Sequence, residues 1–148
     1  MALDPHIPFD EQLTTLHPDR WTEVFWSAAA EHRLIAQQCE RCGAFRHPPS
    51  QFCWECRSTE FGWVDLPGTG SVYTFTVARH PMTPAAERAI PYVLAVVALD
   101  GAPGVRLISN IVGADPEAVW IDMPVRVVWD DLGPGVSIPR FVARSKDE

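Results

Sequence analysis

The stretch QQCERCGAFRHPPSQFCWECRS, residues 37–58, holds every cysteine of the chain: Cys39, Cys42, Cys53 and Cys56. The four form two C-x-x-C pairs with ten residues between them. Two such turns can aim four sulfurs at one centre, and zinc takes four thiolates tetrahedrally at about 2.3 Å. Zinc patterns of this kind usually leave roughly 15–20 residues between pairs, so this one is compact. Gly43 follows Cys42 and suits a knuckle that needs positive φ, whereas the second knuckle has Arg57 at that place. One structural zinc is the expected cofactor. Iron, a redox pair and disulfides are the alternatives. The start of the chain, MALDPHIPFDEQ, has neither a basic region nor an apolar run of the secretory kind, so a reducing cytoplasm is the expected compartment.

Working outward from the cysteines, RLIAQQ before the first pair and EFGWVDL after the second read as ribbon strands, and Pro48-Pro49 rules out regular structure between them. Upstream, Asp19 can cap a helix beginning at Arg20. Trp21, Val24, Phe25 and Ala28 would then form one face, with Trp26 beside it. Residues 1–18 are rich in Pro and Thr without a period, and are expected either to be disordered or to lie across a partner. The helix and ribbon have too few apolar residues for a core of their own.

Past LPGTG the pattern becomes β. In SVYTFTVA (71–78), Tyr73, Phe75 and Val77 alternate with threonines, as in a half-buried strand. YVLAVVAL (92–99) suits a central strand, and VRLISNIV (105–112) is a third. DPEAVW (115–120) opens like a short helix, with Asp115 as cap and Pro116 at its first position. VRVVWDD (125–131) and VSIPRFVA (136–143) complete five strands, with Pro139 placing the last at an edge or bulge. Three strands, a short helix and two strands is the order of an OB-fold, a five-stranded Greek-key barrel. The fold class is therefore mainly β: a helix and four-cysteine zinc ribbon over 1–66, then an OB-fold barrel over 67–148.

Charge narrows the function. The 148 residues carry a net charge of −7. Residues 1–66 have five Arg against ten acidic residues, and residues 67–148 have six Arg and one Lys against nine, so neither half is basic. A single-stranded nucleic-acid binder, the alternative that an OB-fold raises, needs a basic groove. No apolar run approaches the ~20 residues of a membrane span. The histidines His6, His17, His32, His47 and His80 fall in no metal or triad motif, and Gly68-Thr69-Gly70 precedes a strand and reads as a turn. His47 could replace a thiol at the metal, but four cysteines make this unnecessary. Asp130-Asp131 reads as a solvated hairpin end. No catalytic residue is expected. In the 78–91 loop, Arg79, His80 and Arg88 could meet a CoA phosphate; the plainer reading is solvated loop charge.

Taken together, FW in the first helix, QCERCG…PPSQFCWEC, GTGSVYTFTV, PYVLAVVALD, VRLISNIVG and MPVRVVW…IPRF resemble the acyl-CoA-associated OB-fold family with an N-terminal rubredoxin-like zinc ribbon. The likeness spans roughly residues 21–143 and looks nearest to actinobacterial members linked to steroid side-chain degradation. It implies a non-catalytic accessory subunit of a thiolase-superfamily enzyme, in a hetero-oligomer whose partner carries the catalytic residues. It also implies acyl-CoA at or near the shared interface, and zinc on Cys39, Cys42, Cys53 and Cys56. Trp21, Phe25 and Trp26 are the residues expected at the partner interface.

Overall fold

Two β units share one core. In the computed structural model, which describes residues 3–145, the cysteine region builds a three-stranded antiparallel sheet in the order β2-β1-β3. Its strands are β1 (Ile35–Cys39), β2 (Phe45–Arg46) and β3 (Phe61–Asp65). The register pairs Gln37 with Arg46 on one side and with Trp63 on the other, and Cys39 with Phe61. Both knuckles close the same way. Gly43 N–H donates to Cys39 O at 2.9 Å and Arg57 N–H to Cys53 O at 3.0 Å, with φ of 78° and 65°. Arg57 thus adopts the conformation that glycine supplies in the first knuckle.

The second unit is a closed barrel in the order β4-β5-β6-β8-β7. It comprises β4 (Thr69–Ala78), β5 (Tyr92–Leu99), β6 (Arg106–Ile111), β7 (Pro124–Gly133) and β8 (Val136–Ala143). A 3₁₀ turn, Pro116–Ala118, stands between β6 and β7, and the Asp115 carboxylate accepts from Glu117 N–H. The closing pair, Ile111 with Phe141, is parallel. Pro139 faces Trp129 across the β7–β8 ladder. It lies outside the single β6–β8 pair, which is why a residue without N–H is tolerated there. The mainly β, five-stranded barrel expectation is met.

The chain folds helix α2 (Glu23–Ala30) onto this barrel. Phe25 and Ala28 from α2, and Leu34, Ile35 and Ala36 from the ribbon, join one cluster with Val72, Val97, Val125 and Phe141 of the barrel. Each fully buried side chain of this size contributes on the order of 1.5–3 kcal/mol. The ribbon therefore borrows its core rather than owning one.

Several sequence expectations need correction. The helix starts at Glu23, not Arg20. Asp19 nevertheless caps the entry to it as expected: its carboxylate accepts from Trp21 N–H, Thr22 N–H and Thr22 Oγ1, each at 2.9 Å, and its carbonyl accepts from Glu23 N–H at 2.9 Å. The bonds to the carboxylate, led by that from Thr22 N–H, hold the Asp19 carboxyl below its usual range. The buried face is Phe25, Ala28 and Ala29, and Val24 is exposed. In β4 a bulge lies between Val72 and Thr74. The extra residue turns Tyr73 outward, where Arg106 Cζ lies 3.6 Å from its ring centroid, and Val72 takes the interior place. Of the 1–18 segment, Met1 and Ala2 lie outside the described residues, and the stretch around Ile7 and Phe9 packs on the chain's own barrel. Ile7 is buried with Ala89, Val112 and Val142, and Phe9 meets Tyr92 edge-on at 4.9 Å. A one-turn helix, α1 (Glu11–Thr14), follows. Lastly, Asp130 is no solvated hairpin end but a buried strand residue, described below.

Candidate metal centre and adjoining groove

The first cysteine of each pair is buried, Cys39 at the end of β1 and Cys53 in the second knuckle, while Cys42 is exposed and Cys56 half-buried. The four Sγ atoms lie within 4.8 Å of one another. Cys39 and Cys56 Sγ are 3.6 Å apart, as are Cys42 and Cys53 Sγ. A tetrahedral ion with bonds of about 2.3 Å requires sulfurs about 3.8 Å apart, so the cluster fits such an ion. No two sulfurs are at the ~2.05 Å of a disulfide.

Backbone amides tune these thiols. The N–H of Cys42, helped by that of Arg41, pulls Cys39 down to about 6. The N–H groups of Cys56 and Glu55 lower Cys53 in the same way. Cys42 receives the Ala44 N–H, which draws it down, but desolvation and the neighbouring sulfurs outweigh this and push it up to about 12. Four thiolates cannot coexist here without a cation; a divalent ion replaces the protons they would otherwise keep. All four ligand places are filled by protein, which makes the centre structural and leaves no open position for a substrate. His47 is not among the grouped ligands. It is half-buried with its ring 5.1 Å from that of Phe25, and burial lowers its pKa.

Beside the ribbon lies a groove of about 430 Å³. One wall is Phe25 and Trp26 of α2, another is the His47–Pro49 loop with its cis His47–Pro48 bond, and the floor is the outer face of β5, β6 and β8. Leu94 and Ile108 rise from that floor, and Ile108 is 70% exposed. At the groove's base Arg140 is buried. Its Nε and Nη2 donate to Asp130 Oδ2 at 3.2 and 3.1 Å, and its Nη1 donates to Asn110 Oδ1. Asn110 in turn donates to Val93 O at 2.9 Å. His6, from the N-terminal strap, contacts the other Asp130 oxygen at 3.0 Å. Burial pulls the Arg140 pKa below its usual value, against the opposing pull of Asp130. Sequence reasoning missed this network. Its one signal is a polar residue inside each of three apolar strands: Asn110 in LISNIV, Asp130 in VVWDD and Arg140 in IPRFV.

The remaining sequence-derived site residues are dispersed. Arg79 is exposed and ion-paired to Glu117. His80 and Arg88 are exposed in the loop that carries the 3₁₀ turn Pro84–Ala86. Among the described residues no hydrogen bond or ion pair joins any two of the three. Phe25 is a core residue with Trp26 edge-on at 5.1 Å, and Trp21 is half-buried against Phe61. The second knuckle adds two exposed aromatics, Phe52 and Trp54, that the sequence reading did not single out. A second His–carboxylate cluster stands on the surface. His32 Nε2 meets Asp131 Oδ1 at 2.8 Å, and Ser137 Oγ donates to that same oxygen. Here the carboxylate rather than the histidine contacts the serine, so His32 is not placed to take the Ser137 proton and the order is not that of a Ser-His-Asp triad. Among the described residues, no helix is long and apolar enough to cross a membrane.

Comparison with known proteins follows the same division of the chain. Residues 26–62 match the ChsH2 rubredoxin-like zinc ribbon domain, and residues 63–130 the ChsH2 C-terminal OB-fold domain. A "Probable enoyl-CoA hydratase alpha subunit" of Thermomonospora curvata is 42% identical over 80% of this chain and 36% of its own length. The 3-oxo-4,17-pregnadiene-20-carboxyl-CoA hydratase alpha subunit of Mycobacterium tuberculosis is 38% identical over 76% of this chain and 35% of its own. The chain thus spans about a third of these two relatives. A DUF35 domain-containing scaffold protein of Methanocaldococcus jannaschii is 38% identical over 65% of this chain and 67% of its own length. Among solved structures, a chain of the Ltp2-ChsH2(DUF35) aldolase superposes with a TM-score of 0.78 at 37% identity. The match covers 87% of this chain and 98% of that one.

Proposed function

Because the chain belongs to the DUF35 family, in which a rubredoxin-like zinc ribbon precedes an OB-fold, we propose that it is a non-catalytic accessory subunit. Its partner is a thiolase-superfamily enzyme acting on acyl-CoA, of the kind that degrades steroid side chains. The observation that carries this reading is the likeness, over 87% of this chain, to the chain of the Ltp2-ChsH2(DUF35) aldolase. The chemistry of the chain agrees. Its thiols are committed to the metal, and its two His–carboxylate pairs, His6–Asp130 and His32–Asp131, activate no nucleophile. The steroid element rests on the Mycobacterium tuberculosis relative, and the cytoplasmic location on four cysteines that form no disulfide.

The partner covers the helix–ribbon side and the groove beside it. Trp21 and Trp26 make contact directly, and Phe25 supports Trp26 from beneath. Phe52, Trp54 and Ile108 extend the same apolar surface. Arg88, and Arg79 once released from its pair with Glu117, donate hydrogen bonds to a CoA phosphate where the loop reaches the partner's site, with the His80 ring as a further hydrogen-bonding group. The hydratase relatives favour a second reading, in which the partner is an acyl-CoA hydratase subunit. Co-expression with a candidate thiolase-superfamily enzyme and with a candidate hydratase subunit separates the two. The first reading requires a stoichiometric complex with the former, and acyl-CoA turnover by that complex but not by this chain alone.

A further inference from the structure

Among the described residues, the ribbon contains a buried cation with no carboxylate partner. Arg46, on β2, is 5% exposed. Its Nε donates to Gln37 Oε1 at 2.6 Å and to Ser50 O at 3.2 Å. Its two terminal nitrogens, Nη1 and Nη2, are buried and have no acceptor, and neither has Gln37 Nε2. Among the described residues no carboxylate pairs with Arg46. The acidic residues of the ribbon, Glu40, Glu55, Glu60 and Asp65, are exposed, and Asp65 is paired with Arg33 instead. A guanidinium cannot shed its charge by losing a proton, so burial without compensation is costly.

The strand register shows what stands nearby. Side chains alternate along a strand and cross-strand partners share a face. Arg46 is opposite Gln37, Cys39 is two residues beyond Gln37, and Phe61 is opposite Cys39. Arg46, Gln37, Cys39 and Phe61 therefore share one face of the ribbon, with Arg46 Cζ 5.5 Å from the Phe61 ring centroid. Gln37 Oε1 also accepts from Ser50 N–H at 2.8 Å. This ties the guanidinium to the segment that leads three residues later into Cys53. The clamp of Gln37 and Ser50 fixes Nε and leaves Nη1 and Nη2 without an acceptor, on the ribbon face that also carries Cys39.

The family's zinc reading supplies the missing charge. Four thiolates and one divalent ion sum to −2, and two of the sulfurs belong to the buried Cys39 and Cys53. We propose that Arg46 is the buried counter-charge of the metal centre, a positioning residue that stabilises the four-thiolate form without ligating the ion. Gln37 is its orienting partner: the amide oxygen holds Nε and so aims the rest of the fork. This accounts for a full cation inside a small ribbon, and for an Arg–Gln–Ser50 clamp that otherwise stabilises nothing charged.

The test compares Arg46→Met, Arg46→Gln and Arg46→Lys with the unaltered full chain. Zinc affinity is measured by chelator competition at one fixed pH and ionic strength. The thiolate-to-metal charge-transfer bands are read after cobalt(II) substitution, with circular dichroism of the zinc-loaded protein as the folding control. Removing the positive charge should weaken zinc binding at least tenfold. It should also move the charge-transfer bands to longer wavelength, because the sulfur electrons are then less stabilised. Arg46→Lys keeps the charge and should stay within about threefold of the unaltered chain, with its bands in place. The Gln variant stands in if the Met variant does not fold. Neutral variants that fold and bind zinc within threefold with unshifted bands overturn the proposal. So does a Lys variant that loses as much affinity as the neutral ones, since the guanidinium's shape rather than its charge would then be what matters.

Discussion

Replacing Asp130 by Ala should be among the most damaging single changes in the barrel. Both partners of the Asp130–Arg140 pair are almost wholly buried, with side-chain exposures of 2% and 6% and an N–O distance of 3.1 Å. At that separation and an effective dielectric of 20 the attraction is about 5 kcal/mol, and desolvation of each ion opposes it by several kcal/mol. The pair as a whole is therefore close to neutral relative to well-packed apolar residues. Breaking it is different. Asp130→Ala leaves a guanidinium buried with only the Asn110 oxygen, and should cost about 3–5 kcal/mol. Arg140→Met, leaving the carboxylate against His6 alone, should cost a similar amount. The double replacement Asp130→Leu with Arg140→Met should recover most of the loss, because no unpaired charge remains. Urea unfolding of the zinc-saturated chain at pH 7 measures all three. Single variants within 1 kcal/mol of the unaltered protein, or a double variant as unstable as the sum of the singles, would refute the reasoning.

Three further outcomes follow from the same structure. Cys53→Ser should abolish stoichiometric zinc by elemental analysis and unfold the ribbon, since structural zinc supplies on the order of 10–16 kcal/mol in small zinc domains. Burial holds the His47 pKa below the usual imidazole value of about 6.5, so an unfolded chain takes up this proton first. The contribution of neutral His47 is complete above pH 6.5 and falls as the pH drops below it; His47→Gln should flatten that part of the stability–pH profile measured at saturating zinc. At the proposed partner surface, Trp26→Ala and Ile108→Arg should each weaken the complex by ≥ ~2 kcal/mol in calorimetric titration. Ile108→Arg should leave the melting temperature of the free chain unchanged, because Ile108 is an exposed residue.

The metal ribbon and the barrel were legible because their signals are local. The spacing of Cys39, Cys42, Cys53 and Cys56 is a short-range constraint that survives without tertiary information, and five apolar runs separated by turn residues mark the strands directly. What escaped depends on contacts distant in sequence. Asp130 looks like a hairpin charge until β8 brings Arg140 alongside and β6 supplies Asn110. Tyr73 follows the alternation of its neighbours until a bulge against β5 shifts the phase. Ile7 and Phe9 read as scattered apolar residues in a Pro-rich segment, because the surface they cover is built from Ala89, Tyr92, Val112 and Val142. The buried face of α2, Phe25, Ala28 and Ala29, is set by what it packs against, since Phe25 and Ala28 join the barrel cluster while Val24 stays exposed. Arg46 and Gln37 gave no signal in sequence, since neither residue type announces burial.

The central claim is that this chain completes another enzyme rather than acting alone. The most direct measurement is affinity capture of the tagged chain from its native host. The captured proteins are identified by mass spectrometry, the complex is sized by light scattering, and acyl-CoA turnover is assayed with and without this chain. The account predicts a stoichiometric complex with a thiolase-superfamily enzyme, a buried interface well above ~1,000 Å², and turnover that depends on the complex while the isolated chain is inert. Acyl-CoA turnover by the rigorously partner-free chain would contradict it, as would capture that yields no thiolase-superfamily enzyme and instead nucleic acid bound at nanomolar affinity in physiological salt.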